Sequence, residues 1–312
     1  MPDRFFLFVQ FEFPWELGPP DGRYLMRANE DADPERVVVL NTFGAQRRAP
    51  SRGQLLSAAT RTRSRKRVVA EPEPEPTPVA VARATLVDPV SVSAERQAKA
   101  WLSELDGERE IEAAAALLNR VLHFHRIAAA DAHVNEVSPE QALVIRAGWG
   151  EGEQVADGLW LSARELPWRG PAGVRRKRIG DRAAALRPLE RMAELLGGRG
   201  KTLLCEELVL RARADLDNGR PAHAAIELQS AYAAALAELP GEQREDLAIR
   251  IAELAKLREG VDAQARAAFA AVSSPDAGDA TAQQLDEEVL RHALGRLEAT
   301  LRARTATGFR VK

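Results

Sequence analysis

Five basic side chains crowd a seven-residue stretch of the sequence: Arg61, Arg63, Arg65, Lys66 and Arg67. Cationic groups on a flexible chain attract phosphate or carboxylate without reading a sequence. No aromatic side chain stands between them, so the run is not typical of proteins that stack single-stranded bases. We predict that these five residues contact phosphate or an acidic partner. A solvated linker, balanced in charge by Glu71, Glu73 and Glu75, is the alternative interpretation.

Imidazole and carboxylate groups cluster between His123 and His133, with His125 and Asp131 inside that range. The ligands of one metal ion must converge. In a helix, however, the two rings of a His-x-His pair point about 200° apart. Because the pattern around His123 predicts a helix, the sequence predicts no metal site. His133 with Asp131, at the edge of the following loop, would be the best-placed members of one.

The segment Gly197-Gly-Arg-Gly-Lys-Thr202 has part of the pattern of a phosphate-binding loop. Such a loop requires a further glycine at the position that Leu195 occupies, and a buried strand before it. The preceding residues 189–196 predict a helix instead. We therefore interpret the glycines as the end of one helix and the approach to the next.

The remaining nucleophiles and carboxylates do not form a catalytic set. Cys205 lies in an apolar helical segment, which predicts a buried, inert thiol. The pairs Glu206/Glu207 and Glu287/Glu288 are adjacent on predicted helices, where neighbouring side chains diverge. No Gly-x-Ser-x-Gly motif marks a nucleophilic serine. The sequence predicts no catalytic residue, no metal ligand and no cofactor.

The first predicted element is an aromatic-rich strand at residues 5–13. Apolar and polar residues alternate in it from Val9, and it ends at Pro14. Further strands are predicted at 23–27 and 36–43, and together they predict a three-stranded antiparallel meander. Residues 83–88 can return as a fourth strand, which would make the basic run part of a long loop inserted in the sheet.

The inserted segment differs in composition from its surroundings. Between Val37 and Ala70 there is no acidic residue, and alternating prolines follow from Glu71 to Pro78. Such prolines favour a stiff, extended spacer. The predicted organisation is a β module of residues 1–44 with 83–90, a disordered basic and proline-rich insert at 45–82, a mixed α/β segment at 93–180 and a helical domain at 181–312.

Within the mixed segment, Ser93 is a predicted N-cap for a helix over 94–105, and a second helix is predicted over 108–130. Two strands, 142–149 and 158–165, form a predicted hairpin. The helical domain is predicted to contain helices at 189–196, 202–217, 221–238, 242–258, 261–272 and 281–304. The last one carries a seam of Leu290, Leu294, Leu297 and Leu301, for which packing on the preceding helices or self-association are both open.

Residues 203–238 have the order of a helix, a glycine-containing turn at Asn218-Gly219-Arg220-Pro221 and an alanine-rich helix. In this order they resemble a tetratricopeptide-type hairpin, over about one repeat. The Trp and Leu-Gly that usually begin such a repeat are absent. The resemblance implies partner binding rather than catalysis, because arrays of such repeats are scaffolds. The arrangement of segments 5–43 and 110–165 is also similar to uncharacterised proteins of high-GC actinobacteria, a likeness that implies no function.

Composition limits the classes of protein that this chain can belong to. Apolar residues make up 45% of the 312 residues and charged residues 29%, with a formal net charge of −2. A protein that coated nucleic acid or membrane with its whole surface would be far more basic. One cysteine excludes an intrachain disulfide, and no apolar run approaches the roughly 18 residues of a membrane span. We therefore expect a cytoplasmic protein that does not associate with membranes.

The sequence thus predicts an α+β fold, with a small antiparallel β module before a mainly helical C-terminal domain. Our leading hypothesis is a non-catalytic interaction protein that binds a protein partner, or a second copy of itself, through the C-terminal helices. One alternative is nucleic-acid association through the Arg-rich insert. A second alternative is an enzyme of unknown class with a site near residues 142–168, where Trp149, Trp160 and Trp168 lie.

Overall fold

The computed structural model describes residues 4–27, 31–44, 79–168, 182–242, 244–272 and 285–306. Contacts within the chain divide it into two compact units, residues 1–175 and 176–312. The first unit contains all of the described strands, and we refer to it as the sheet unit. The second contains helices without strands in its described residues, and we refer to it as the helical unit. The fold class is α+β, as the sequence predicted.

The sheet unit contains a single antiparallel sheet of six strands. The strands are β1 (Phe5–Phe13), β2 (Gly22–Met26), β3 (Arg36–Phe43), β4 (Val81–Val87), β5 (Val144–Glu151) and β6 (Ser162–Glu165). Their order across the sheet is β2-β3-β4-β1-β5-β6. The sequence allowed a fourth strand at 83–88 and predicted a hairpin of 142–149 with 158–165, and β4, β5 and β6 all belong to the same sheet.

The predicted three-stranded meander is wrong, because β1 does not pair with β2. Strand β4 lies between β3 and β1, with Phe8 opposite Val87, and β5 pairs with the other side of β1. The composition of β1 explains this central position. Phe5, Phe11 and Phe13 are buried on one face, and Phe8 is buried on the other. A strand with large apolar side chains on both faces is stabilised most where neighbours cover both.

Two helices cover one face of the sheet. They are α1 (Glu95–Glu104) and α2 (Gly107–Ala128), and their buried residues share one core with the inward face of β1. The predicted N-cap at Ser93 is wrong: α1 begins after Ala94, which makes no side-chain cap. Helix α2 begins after Asp106, whose carboxylate accepts a hydrogen bond from the Arg109 N–H.

The helical unit contains α3 (Arg182–Leu196), α4 (Leu204–Asp217), α5 (Pro221–Glu238), α6 (Glu245–Val272) and α7 (Glu287–Ala306). Helices α4 to α7 share one core, in which successive helices pack together and α7 returns to α4 and α5. The turn between α4 and α5 is as predicted. Gly219 adopts a left-handed φ of +69°, and Pro221 is the first residue of α5.

Three helices of this unit, α3, α6 and α7, differ clearly from the predicted boundaries. The predicted helices 242–258 and 261–272 are one continuous helix, α6, that passes through Gly260. A glycine costs a helix only about 1 kcal/mol, and the buried Leu254, Val261 and Ala268 on either side anchor α6 in the common core. Helix α3 begins at Arg182 and includes Pro188, so it starts earlier than expected. Helix α7 begins later, at Glu287. None of the helices in the described parts of the chain is long and apolar enough to cross a bilayer.

Candidate functional site

An exposed apolar stripe runs along α3. Leu189, Met192 and Leu196 follow one another at the three- and four-residue spacing that places side chains on one face of a helix. Their exposed fractions are 57%, 51% and 80%. Helix α3 makes none of the extensive helix–helix contacts that join α4 to α7. Its apolar face is therefore open in the described part of the helical unit.

Polar contacts of Arg191 connect α3 to the beginning of α4. Its guanidinium donates a hydrogen bond to the Lys201 carbonyl at 2.7 Å and lies 3.8 Å from the Glu206 carboxylate. Arg191 also lies 3.6 Å from Glu194 on its own helix. These contacts leave the opposite, apolar side of α3 uncovered. The helix is therefore held against the bundle by charge, while its hydrophobic surface remains accessible.

Glu206 belongs to a network that fixes the ends of the bundle helices. Its carboxylate accepts hydrogen bonds from the Leu203 N–H at 2.8 Å and from Arg304 of α7 at 2.9 Å. Arg304 also donates to Glu242, at 2.6 Å. Because Glu206 contacts Arg191 as well, the network joins α3 to the ends of α4 and α7. Charge-assisted hydrogen bonds thus hold α3, which carries the apolar stripe, against the ends of the bundle helices.

The leucine seam of α7 is used inside the bundle. Leu290, Leu294 and Leu297 are fully buried in the common core, and Leu301 packs against it. The interpretation as packing on the preceding helices is confirmed. Tyr232 also connects α5 directly to α7, since its hydroxyl donates a hydrogen bond to the Ala293 carbonyl at 2.8 Å. The apolar residues left for a partner therefore lie elsewhere in the helical unit, above all on α3.

Cys205 is a buried thiol at the beginning of α4. Burial and the neighbouring Glu238 carboxylate raise the pKa of the thiol to about 12. At neutral pH the thiol is therefore protonated and shielded from solvent, so it cannot act as a nucleophile. The prediction of an inert cysteine agrees with this environment.

The glycine-rich segment after α3 does not form a phosphate-binding loop. Helix α3 ends at Leu196, Gly198 adopts a left-handed φ of +67°, and α4 begins at Leu204. The segment is preceded by a helix rather than by a buried strand, so the interpretation as a helix end followed by a helix start is confirmed.

The adjacent carboxylates also face different partners, as predicted. Glu206 belongs to the network with Arg304, whereas Glu207 pairs with Arg211 on the surface. Glu287 pairs with Arg291. These carboxylates are therefore surface and capping groups rather than an acid/base pair.

The histidine cluster does not form a metal site in the described structure. His123 and His125 lie on α2, as predicted, and Asp131 accepts a hydrogen bond from the backbone N–H of His133. Across the described residues, no three His, Cys, Asp or Glu side chains come together as a metal ion would require. The short contact of Asp131 with His133 is a local turn interaction.

The basic residues Arg61, Arg63, Arg65, Lys66 and Arg67 lie outside the described residues, as do Glu71, Glu73 and Glu75. Their contact with phosphate or an acidic partner therefore remains a prediction.

A groove lies where β5 begins and β6 ends, and we refer to it as the β5–β6 groove. It has a volume of about 430 Å³. Its walls include Glu140, Leu143, Glu165, Pro167 and Trp168. Leu143 is exposed, and Trp168 is half-buried. The groove thus combines an aromatic ring and apolar side chains with two carboxylates.

Helix α2 and a short turn position one wall of this groove. The Asn119 side chain donates a hydrogen bond to the Val137 carbonyl at 3.0 Å and accepts one from the Val137 N–H at 2.8 Å. Just beyond, Ser138 and Gln141 form a capping box around the turn that carries Glu140. The Glu140 backbone is therefore held by bonds that reach back into the core of the sheet unit.

The three tryptophans near this region do not converge on one site. Trp149 is buried on the helix-covered face of the sheet, in an edge-to-face contact with Phe5. Trp160 packs near Phe8 on the opposite face. Only Trp168 lines the β5–β6 groove. The groove overlaps the region 142–168 that was considered for an enzyme, and the described residues that line it include no serine, threonine, cysteine or lysine.

A cluster of ion pairs lies next to the groove, on the face of the sheet that α1 and α2 do not cover. Glu12 of β1 accepts hydrogen bonds from Arg83 of β4 and Arg146 of β5, each at 3.0 Å. Arg83 also lies over the Phe43 ring, 4.5 Å from its centroid. Glu165 is 3.8 Å from Arg146. Because the arginines are already paired with Glu12, the cluster mainly joins three adjacent strands.

The sequence contained a signal for the apolar stripe on α3 and none for the β5–β6 groove. The spacing of Leu189, Met192 and Leu196 is visible in the helical periodicity, although the predicted boundary covered only the end of α3. Glu140 and Glu165 are distant in sequence and line one groove only because β5 pairs with β6, so no local pattern could connect them. Comparisons with protein-family models, with curated proteins and with solved structures find no match for this chain.

Proposed function

We propose that this chain is a non-catalytic interaction protein that binds a protein partner through its helical unit, with α3 as the docking helix. The exposed stripe of Leu189, Met192 and Leu196 carries the proposal. Insertion of such a stripe into an apolar groove of another protein is a recurrent mode of recognition. The chemistry of the described residues supports binding rather than catalysis, since Cys205 is buried and protonated and the adjacent carboxylates Glu206 and Glu207 are engaged in ion pairs.

Energetic considerations favour a partner for α3. A helix of 15 residues is marginal in water on its own, and helices in proteins gain most of their stability from a packed apolar face. In α3 that face is exposed, while the stabilising contacts of Arg191 are polar. Burying three large apolar side chains would add on the order of 1.5–3 kcal/mol for each one fully covered. Association with a partner would therefore bury apolar surface of α3 that the described chain leaves exposed.

The test compares two sets of surface substitutions in the full chain. Leu189→Glu with Leu196→Glu removes the stripe, whereas Leu210→Glu with Ile249→Glu introduces the same charges at exposed apolar residues of α4 and α6. The wild-type chain is used to capture a stoichiometric partner from its native lysate, and the recovered complex is then titrated with each variant. We expect the stripe variant to bind at least tenfold more weakly and the control variant to bind as the wild type does.

Two outcomes decide the proposal. Equal binding by the stripe variant and the wild type would refute α3 as the docking helix, and failure to recover any partner or self-associated form would refute the interaction function. Light scattering after size-exclusion chromatography identifies the partner class. A wild-type dimer that the stripe variant converts to a monomer would assign the α3 face to a second copy of this chain.

A further inference from the structure

We propose that the β5–β6 groove is a binding site for arginine side chains, and that its occupant is the segment Arg61–Arg67 of the same chain. This inference concerns the sheet unit and does not depend on the function proposed for α3. It rests on the chemistry of the groove, on the place where the insert leaves the sheet and on the pattern of charges in the segment.

The groove has the groups that recognise a guanidinium. An arginine binds best where its planar face stacks on an aromatic ring and its N–H groups meet carboxylates. Trp168 provides the ring, and Glu140 and Glu165 provide the carboxylates at the same groove. The Glu165 side chain is 72% exposed. Its described basic neighbour, Arg146, is 3.8 Å away and lies closer to Glu12, at 3.0 Å, so Glu165 is left with capacity for another cation.

The register of the sheet places both ends of the insert at the edge where the groove lies. The last residue of β3, Phe43, is opposite Val81, the first residue of β4. In the next pairings, Arg83 is opposite Glu12, and Glu12 is opposite Val144 at the beginning of β5. Val144 lines the groove. Neighbouring strands are about 4.8 Å apart, so β3 and β5 are separated by about 14 Å.

Both arms of the insert are long enough to reach the groove. Between Arg67 and Val79 there are 11 residues, and between Gly44 and Arg61 there are 16. An extended chain spans about 3.3 Å per residue, so even the shorter arm can span roughly 36 Å. This reach exceeds the distance across three strand spacings by more than twofold. The segment can therefore enter the groove without any change in the strands.

The charge pattern of the segment suits a groove of this kind. Arg61, Arg63 and Arg65 alternate with hydroxyl residues, and in an extended chain alternate side chains point to the same side. The following Glu71, Glu73 and Glu75 offer carboxylates but no aromatic surface. A second basic run, Arg175–Arg178, begins seven residues after Trp168, but its four charges are consecutive and therefore point to both sides of an extended chain. For these reasons we assign the groove to Arg61–Arg67.

The closing experiment uses the single lysine of the segment. The full-length protein is treated with a water-soluble carbodiimide, which joins a lysine amine to a carboxylate in direct contact, and the cross-links are identified by mass spectrometry. We expect Lys66 to be joined to Glu140 or Glu165 within one chain. A mixture of ¹⁴N- and ¹⁵N-labelled protein distinguishes links within a chain from links between chains. The link from Lys66 to the nearby Glu71 is an internal control that the groove should not affect.

Variants then separate recognition by the groove from general attraction between charges. Trp168→Ala should reduce the links from Lys66 to the groove at least threefold and leave the Lys66–Glu71 link unchanged. Glu165→Arg, at an exposed position, should abolish most of the remaining links to Glu140. The matched control is Glu151→Arg at the opposite end of β5, which should have no effect.

Binding of an isolated peptide provides an independent measurement. A full-length variant with Ser at all five basic positions of the segment is titrated with a synthetic peptide of residues 59–69. We expect saturable binding that weakens at least tenfold when Gln replaces the three alternating arginines of the peptide.

Three results would overturn the proposal. In the first, Lys66 forms no cross-link to a carboxylate of the groove. In the second, such cross-links form only between two chains. The third is a set of links from Lys177 in place of Lys66, which would assign the groove to the second basic run.

Discussion

The sheet unit and the helical unit fill their interiors with side chains of different size. In the sheet unit the fully buried residues include Phe8, Phe11, Phe13 and Trp149. In the helical unit many of the fully buried residues are alanines, such as Ala225 and Ala268. A sheet of small area must bury large side chains to gain enough apolar contact, whereas alanines allow helix axes to approach closely. The two units should therefore be sensitive to opposite changes in volume.

The two units also differ in how they treat buried polar groups. In the sheet unit, Gln10 Oε1 and Trp149 Nε1 are buried without a hydrogen-bond partner in the described structure. In the helical unit, the buried hydroxyl of Tyr232 donates to Ala293, and burial raises the pKa of this group. The two units thus differ in whether other protein atoms satisfy these buried polar groups.

Each unit contains its own spectroscopic or chemical reporter, which makes the comparison measurable. All five tryptophans lie between residues 15 and 168, so tryptophan fluorescence reports on the sheet unit. The single cysteine, Cys205, lies in the helical unit. Labelling of its thiol reports on that unit. The helical signal in circular dichroism reports mainly on it, because α3 to α7 contain most of the helical residues.

The largest effect is expected from removing volume in the sheet unit. Phe13→Ala removes a fully buried ring that stacks on Phe11, with centroids 6.1 Å apart. We expect the free energy of unfolding of this unit to fall by about 3–5 kcal/mol. Urea unfolding followed by tryptophan fluorescence measures the change, and Phe43→Ala, at an exposed position, should cost much less. A loss below about 1 kcal/mol for Phe13→Ala would contradict the view that large side chains hold this unit together.

A smaller loss of stability is expected from the opposite change, an increase of side-chain volume in the core of the helical unit. Ala225 of α5 is fully buried in the common core. Ala225→Leu forces a larger side chain into that contact, and we expect a loss of about 1–3 kcal/mol. Urea unfolding followed by circular dichroism at 222 nm measures it. Ala233→Leu, on the exposed side of the same helix, is the matched control and should be nearly neutral. Equal stability of the two variants would show that α5 is not closely packed.

The smallest effect is a dependence of the helical unit on alkaline pH. The ordinary pKa of the Cys205 thiol is 9.0, and burial raises it to about 12 in the folded state. Below pH 9 the thiol is protonated in both the folded and the unfolded state, so it adds no dependence on pH. Between pH 9 and 12 only the unfolded state loses its proton, and stability should fall by about 1.4 kcal/mol per pH unit.

Comparison with Cys205→Ala isolates this contribution from that of other groups. Urea unfolding of both proteins at pH 8 and pH 10, followed by circular dichroism, should show a drop that is larger in the wild type by about 1.4 kcal/mol. An equal drop in the two proteins would mean that the thiol is not shielded in the folded helical unit.

Local patterns of the sequence were sufficient to predict most elements of both units. The alternation in residues 5–13 and the turn at Gly219-Arg-Pro221 depend on neighbours along the chain, and both have the predicted structure. The order of the strands was not accessible in this way. The placement of β4 between β1 and β3 depends on the pairing of Phe8 with Val87, which are separated by the whole insert.

The same limit applies to the candidate sites. The stripe on α3 follows from helical spacing, so its residues could be recognised from the sequence, although the predicted helix covered only residues 189–196. The β5–β6 groove depends on Glu140, which a capping turn presents, and on Glu165, which strand pairing brings close. Neither carboxylate belongs to a motif. Only the three-dimensional structure connects them with Trp168.

The ends of the bundle helices have a consequence for the order in which the chain is synthesised. The first N–H groups of α4, at Leu204 and Cys205, are bound by the carboxylate of Glu238 at the end of α5. The last carbonyls of α7 accept hydrogen bonds from Arg244, which precedes α6. As the chain leaves the ribosome, α4 therefore has no complete cap until α5 has followed it. Arg244 can pair with the nearby Asp246, but it lacks its two backbone acceptors until the last helix is made. The helical unit must remain incomplete until nearly all of its residues have been translated.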